Sequence, residues 1–438
     1  MNLSGPDLNE GVRRRELFGW AMYDFANSGY TTVVLTAVFN AYFVGVVAGG
    51  ADWATLAWTA TLSLSSLVVM VLMPAIGAYA DRRAAKKRLL AWTTVVCVVS
   101  TALLALAGPG AMALAVLAVV VSSACFAIGE SLIAAFLPEL AKPGAIGKVS
   151  GWGWSFGYFG GMLTLGVGLA YVLSAQARGL PATHFVPVTM LLTAAVYALA
   201  SLPTFFLLRE RAPAADPAGS GTDDSFLTSV VLALRRLSSA WRQSRQFEDF
   251  ASLLACAVAY QAGISVVVAL AAVYAEQVLG FRQTETMMLV FLVNIAAAIG
   301  AFAFGHFQDR IGHRRALGLT LLGWILMTAL AAVATGPGLF WAAAVLAGLC
   351  MGSSQSAGRA MAGLLAPAHR RAEFYGLWTF AVRVSAILGP LTYGLVTWVT
   401  AGNHRVAILS TGVFFVIGAV ILRRVDIERG IGRARAAS

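Results

Sequence analysis

The stretch GHFQDRIGHRR, residues 305–315, has a partner in GAYADRRAAKKR, residues 77–88. Each carries a glycine, an Asp-Arg pair after three intervening residues, and then a basic cluster. Each also joins two long apolar runs, the second and third of their half of the chain. One short basic loop occurs in any membrane protein, but two alike at matching positions are the trace of a duplicated six-span unit. The pair of loops therefore predicts an all-α membrane protein of two six-helix pseudo-repeats.

Composition agrees. The 438 residues are 59% hydrophobic and 12% charged, with a mean hydropathy of +0.78, more apolar than a water-soluble domain of this length tolerates. The net charge of +11 would suit nucleic acid, but the basic residues fall in short loops between apolar runs, where membrane topology accounts for them. No nucleic-acid partner is expected. Cys97, Cys125, Cys256 and Cys350 each stand alone in an apolar run, and the five histidines are scattered, so neither a disulfide framework nor a metal site is expected. No cofactor is expected.

A bilayer core takes about 20 apolar residues of helix. On that rule spans fall at 17–47, 54–80, 89–107, 111–138, 149–175 and 184–208, and again at 250–279, 286–305, 316–335, 338–364, 374–400 and 406–422. Arg13, Arg14 and Arg15 before the first run resemble a secretory signal, but the run is too long for a signal core and lacks a small-residue cleavage site, so it reads as a retained span.

The loops alternate in charge. Arg13 to Arg15, Arg82, Arg83, Lys86, Lys87, Arg88, Lys142 and Lys148 share one side with Arg310, Arg314, Arg315, Arg370, Arg371, Arg423 and Arg424. The opposite loops hold little beyond Arg178, Arg282 and Arg405. The positive-inside rule then predicts that both termini are cytoplasmic. The expected organisation is a six-helix bundle at 1–208, a linker at 209–249, a second bundle at 250–424 and a basic tail at 425–438. The linker opens with RAPAADPAGSGTDD, which cannot pack, and continues with Phe226, Val230, Leu234, Leu237 and Trp241 at helical spacing opposite Arg235 and Arg236. That pattern predicts a basic amphipathic helix on the membrane surface.

Charges inside the spans are costly, and usually face a cavity or a partner. Asp24 and Glu130 lie in the first and fourth spans, Arg359 and Arg383 in the tenth and eleventh, so two carboxylates in one half stand against two guanidiniums in the other. At 1.5 Å per residue Asp24 lies roughly 12 Å from the end of its helix, and Glu130 and Arg383 are similarly deep. Arg359, about 8 Å in by the same rise, has snorkelling to the surface as its alternative. Asp24, Asn27, Ser28 and Thr31 share a helix face, as do Ser123 with Glu130, Gln261 with Ser265, and Gln355 with Arg359. Either these charges bind a solute or they form salt bridges between the halves, and an alternating transporter can use both. Gly153, Gly157 and Gly161, with Gly348, Gly352 and Ser356, recur every fourth position and predict close helix packing rather than ligand contact.

The paired loops resemble the signature loop of the major facilitator superfamily, through Gly305, Asp309, Arg310, Gly312, Arg314 and Arg315, and more loosely Gly77, Asp81 and Arg82, where Ala84 and Ala85 replace the usual Gly and Arg. The opening WAMYDFANSGYTTVVLTAVFNAYF is similar to the first helix of the so-called unknown major facilitator family, bacterial relatives of the fungal autophagy-related vacuolar amino-acid effluxer. FLPELAKPGAIGKVSGWGWSFGYFGG, GSSQSAGRAMAGLLAP, EFYGLW and LGPLTYG extend the likeness over both halves, while Phe25 and Asn40 depart from the Trp and Pro expected there.

The resemblance implies the major facilitator fold of twelve transmembrane helices, with the first, fourth, seventh and tenth lining a central cavity. It also implies that Gly77, Asp81, Arg82, Gly305, Asp309 and Arg310 gate the cytoplasmic side. A secondary transporter of a small polar solute, amino acids foremost, is the leading expectation. Arg359 and Arg383 would meet a carboxylate, and Asp24, Asn27 and Glu130 an ammonium, with Gln261 and Gln355 on the same cavity wall. Asp24 or Glu130 is also a candidate proton carrier. The expected setting is a monomer in a bacterial inner membrane, with a small-molecule substrate, lipid and protons as partners. Export of an organic anion or an amphipathic lipid-like solute, and a non-transporting receptor or scaffold, stand as alternatives. No nucleophile elbow, metal motif or P-loop is present, so neither an enzyme nor an ATP-driven pump is expected.

Overall fold

The computed structural model describes residues 7–49, 54–211, 247–281, 283–400 and 403–437. The expected linker helix and Arg282 lie outside the described residues. The chain is almost wholly helical. We number the long helices α1 Arg14–Tyr30, α2 Ala54–Arg83, α3 Lys86–Leu103, α4 Met112–Ala134, α5 Ile146–Ala177 and α6 Ala182–Leu207. The series continues with α7 Glu248–Leu279, α8 Gln283–Ile311, α9 His313–Val333, α10 Pro337–Leu364, α11 Arg371–Val399, α12 His404–Leu422 and α13 Ile427–Ala436.

Eleven of these, α2 to α12, contain stretches long and apolar enough to cross a membrane. The run predicted as the first span is not one regular helix. Past α1 it passes through two π-helical stretches, Thr31–Ala37 and Phe43–Val47, joined by the short turn Phe39–Tyr42. The β-branched run Thr31, Thr32, Val33 and Val34 crowds that turn, and the Thr36 hydroxyl donates to the Thr31 carbonyl five residues back at 3.1 Å.

Large apolar side chains cover the outside: Trp92, Leu117, Leu199, Phe206, Leu391 and Val399 are all more than 60% exposed. Water would not tolerate such a belt, whereas lipid tails solvate it. The interior holds aromatic residues and the polar groups, with Trp20, Tyr23, Tyr30, Tyr197 and Trp324 sealed off.

Helices α1 to α6 pack mainly among themselves, as do α7 to α12, and the two sets meet chiefly through α2 against α11 and α5 against α8 and α10. The two larger contacts are related by the duplication, since α2 corresponds to α8 and α5 to α11. Small residues make them close. A Cβ on Gly151 would stand 2.9 Å from Gly305 Cα, and one on Gly305 would stand 3.0 Å from the Gly147 carbonyl. The predicted glycine ridges pack as expected: Gly157 and Gly161 in α5 face Ser28 of α1 and Thr32 of the π-helical stretch that follows it, and Gly348 and Gly352 in α10 lie on the α8 backbone.

Most of the expected basic tail forms α13. Asp426 caps it by accepting from the Arg429 amide at 3.0 Å, and Asp249 at the start of α7 accepts from Arg429 Nε and Nη2 at 2.9 and 2.7 Å. The bonds to Asp249 hold the Arg429 guanidinium above its ordinary pKa. The alternation of Arg429, Arg433 and Arg435 with Gly430 and Ala434 is helical spacing, hidden in sequence by the low apolar content.

Candidate functional site

Where the halves meet, the opposed charges predicted from sequence are brought together in pairs. Arg359 Nη1 donates to Asp24 Oδ2 at 2.7 Å, and both side chains are more than nine-tenths buried. Arg359 Nε donates to the Ser150 hydroxyl at 3.2 Å, and Nη2 to the Ser150 carbonyl at 2.8 Å. The guanidinium also lies over two indoles, 4.9 Å from the Trp20 ring centre and 5.3 Å from that of Trp154. Snorkelling, the alternative expected for Arg359, is thereby excluded in this conformation: the side chain points inward to a carboxylate that the other half supplies. Burying a guanidinium requires this degree of pairing and hydrogen bonding.

Local sequence explains the enclosure. Trp20 and Asp24 are one turn apart on α1, and Ser150 and Trp154 one turn apart on α5, so each helix offers one aromatic and one oxygen acceptor on a single face. Gly153 makes room between them. A Cβ there would stand 2.5 Å from Asp24 Oδ2 and 2.6 Å from both Arg359 Nη2 and Trp20 Cη2. The Trp20 indole is itself fixed, donating to the Ile133 carbonyl at 2.9 Å, and the Tyr375 hydroxyl donates to the Arg359 carbonyl at 2.8 Å.

The second pair is looser. Arg383 Nη2 stands 3.6 Å from Glu130 Oε2, with the glutamate side chain 36% exposed, and Arg383 Nε is buried without a hydrogen-bond partner. Gln261 and Gln355 bond each other at 2.7 Å from α7 to α10. Asn27 is buried on α1 one turn from Asp24. Ser28, expected on the same polar stripe, instead donates to the Asp24 carbonyl at 2.8 Å, so its helix absorbs it.

At the end carrying the basic loops, the two signature aspartates cap helices of the opposite half. Asp309 accepts from the Gly147 and Lys148 amides at 3.0 and 2.8 Å, at the N-terminus of α5. Asp81 accepts from the Glu373 amide at 3.0 Å, in the first turn of α11. A carboxylate at a helix N-terminus satisfies free amides and meets the positive end of the helix dipole. Gly77 is buried in α2 and Gly305 lies on α5, whereas Arg82 is half-buried and Arg310 is exposed. Lys86 pairs with Glu139, Arg211 Nη2 with Glu16 at 2.6 Å and Arg370 with Glu373 at 2.6 Å. The bonds to Glu373 raise the pKa of Arg370, while burial lowers that of Arg371.

Sequence reasoning named all four charges of the Asp24–Arg359 and Glu130–Arg383 pairs but missed Trp20, Ser150, Trp154 and Tyr375. Only the one-turn spacing of Trp20 from Asp24, and the run SGWGW at 150–154, carried a signal. Among the described residues no cluster of His, Cys, Asp or Glu could hold a metal ion.

Comparison with known proteins agrees with this architecture. The uncharacterized MFS-type transporter YxiO of Bacillus subtilis is 25% identical over 418 residues, covering 93% of this chain and 94% of that protein. Autophagy-related protein 22-1 of Penicillium rubens is 24% identical over 300 residues, 65% of this chain, and the match spans half the length of the fungal protein. Among solved structures, the human organic anion transporter MFSD10 superposes with a TM-score of 0.72 at 14% identity, covering 93% of this chain and 99% of that one. The proton:xylose symporter XylE gives 0.68 at 15%, covering 94% and 95%. At such identities the superpositions show the fold alone. The family model described as "Vacuole effluxer Atg22 like" matches residues 51–435, most of the chain, and the protein accordingly belongs to that family of major facilitator transporters.

Proposed function

We propose that this chain moves amino acids across a membrane by alternating access, with protons as the coupling ion. The observation that carries the reading is the meeting of two carboxylates, Asp24 and Glu130, with two guanidiniums, Arg359 and Arg383, across the contact between the halves. A zwitterion presents one group of each sign, so it can exchange with such pairs rather than add an uncompensated charge to a buried site. Arg383 and Arg359 serve the carboxylate, Asp24, Asn27 and Glu130 the ammonium, and Gln261 and Gln355 line the same cavity. Glu130, the most exposed of the four charges, is the proposed proton carrier.

The reading includes twelve crossings divided into bundles 1–208 and 250–424, with both termini cytoplasmic in a bacterial inner membrane, in a protein that works as a monomer. Asp81 and Asp309, with Gly77, Gly305, Arg82 and Arg310, form the gate on the cytoplasmic side.

The test is counterflow of a labelled amino-acid mixture in proteoliposomes, wild type against Arg383→Ala. Exchange by wild type and its loss in the variant are expected. Absence of exchange by correctly inserted wild-type protein would refute the reading. A second reading, transport of an organic anion, is favoured by the unpartnered Nε of Arg383. Competition by anions that lack an amine separates the two.

A further inference from the structure

All the groups that hold the Arg359 guanidinium belong to α1 and α5, and Arg359 itself belongs to α10. The receptor is thus complete within one half and its occupant is supplied by the other. Two indole faces, a carboxylate, a hydroxyl and a backbone carbonyl converge on one planar cation, the chemistry by which aromatic cages recognise organic cations. Gly153 keeps the floor of this cage open, since any Cβ would enter it. The Trp154 indole, one wall of the cage, has a buried Nε1 with no hydrogen-bond partner among the described residues, a donor left over for a further group.

Arg359 and Ser150 lie only about 8 and 6 Å, at 1.5 Å per residue, from the ends of α10 and α5 that border the basic loops. When α10 withdraws from α5 the cage is vacated without being dismantled, because Trp20 and Asp24 stay on α1, and Ser150 and Trp154 on α5. A vacated carboxylate between two buried indoles would carry an uncompensated charge, which a cationic group from solution relieves.

We infer that Trp20, Asp24, Ser150 and Trp154 form a receptor for the cationic group of the transported solute, and that Arg359 is its built-in occupant in the closed state. As a claim about substrate the inference rests on the transporter reading above. It narrows that reading by taking Arg359 out of the carboxylate-binding set, for self-occupancy, and leaving Arg383 alone to meet a substrate carboxylate. It also sets the substrate class: a solute bearing an ammonium or guanidinium, with anions lacking one excluded.

The cage is tested first without transport. Arg359→Ala empties it, and methylguanidinium is expected to raise the Tm of purified Arg359→Ala saturably, while neutral urea at equal concentration does not. The rise should disappear in Arg359→Ala/Trp154→Ala and persist in Arg359→Ala/Trp154→Phe, which keeps an aromatic face. No rise, or an equal rise without the Trp154 ring, overturns the receptor.

Counterflow in wild-type proteoliposomes is the second measurement, and it decides the matter if Arg359→Ala does not fold. Methylguanidinium and butylamine are expected to compete with the amino-acid mixture and propionate is not, the first two arms showing which cation fits better. Competition should weaken about thirtyfold in Trp154→Ala, the loss expected for one desolvated cation–π contact. Exchange that only propionate inhibits, or that no cation inhibits, refutes the receptor and leaves the transporter reading standing. Absence of all exchange refutes the transporter reading and the substrate role together.

Discussion

Replacing Asp24 by asparagine tests whether the Asp24–Arg359 pair holds the halves together or merely decorates their contact. The substitution leaves the shape nearly unchanged and removes one charge, so Arg359, 7% exposed, keeps its Ser150 acceptors but faces no anion. Stranding one member of a buried pair costs about 3–5 kcal/mol, and the remaining acceptors put this case near the lower end. Most of that cost falls on the closed arrangement, because on opening the guanidinium leaves for a wetter setting. A shift of about 3 kcal/mol changes the ratio of closed to open molecules by roughly a hundredfold.

The assay is alkylation of a cysteine placed at Ser356, which is fully buried at the α5–α10 contact and reaches toward the Gly147 carbonyl. In the wild-type background this thiol should react slowly. In Asp24→Asn it should react much faster, while the protein still folds and transports poorly. Asp24→Asn/Arg359→Gln, which strands no charge, should recover part of the protection. Equal labelling rates in the wild-type and Asp24→Asn backgrounds, with unchanged transport kinetics, would refute the reasoning.

Gly153→Ala should impair transport as severely as loss of Arg359, since its methyl would sit 2.5 to 2.6 Å from Asp24, Arg359 and Trp20 at once, whereas Gly166→Ala, with nothing within 4 Å, should be neutral in the same counterflow assay. Asp81→Ala and Asp309→Ala should each cost about 1 kcal/mol, the usual worth of a helix cap, and the two losses should add because the caps lie on different helices. Thermal unfolding of the two single variants and the double variant checks this, and a double variant no less stable than either single would count against independent caps.

Much of the architecture was legible because lipid makes its demands locally. Every crossing must carry its own run of apolar residues, so the limits of α2 to α12 fall within a few residues of the hydrophobic runs. The ion pairs were half legible: four charges of two signs within the apolar runs of two halves imply partners, yet nothing along the chain says that Asp24 takes Arg359 rather than Arg383. That choice depends on which helix faces meet, and at Gly153 the α5 backbone leaves room for Asp24, Trp20 and Arg359 together. Trp20 and Trp154 went unread because an indole in an apolar helix has the same pattern whether it packs on leucine or on a guanidinium. The π-helical departure after Tyr30 left no periodic mark, since a single widened turn shifts the register by one residue within an apolar run. Helix α13 went unread because its apolar stripe, Ile427, Ile431 and Ala434, is short and lies among arginines.

The unequal closure of the two ion pairs follows from what a reversible contact can bear. Were both sealed as tightly as Asp24–Arg359, parting the halves would break two buried pairs at about 3–5 kcal/mol each, about 6–10 kcal/mol in all. The two backbone caps at Asp81 and Asp309 would add to that sum. About 5.5 kcal/mol of differential binding suffices to reverse a two-state population from 1:99 to 99:1, so a doubly sealed contact would outlast what a small solute could offset. Leaving Glu130 and Arg383 at 3.6 Å, with the glutamate partly exposed, keeps one pair within reach of an incoming solute while the other defines the closed state. On the proposed reading the division also orders events: a solute would meet Arg383, whose guanidinium has an unfilled donor, before the parting of the halves opens the Arg359 cage to a cation.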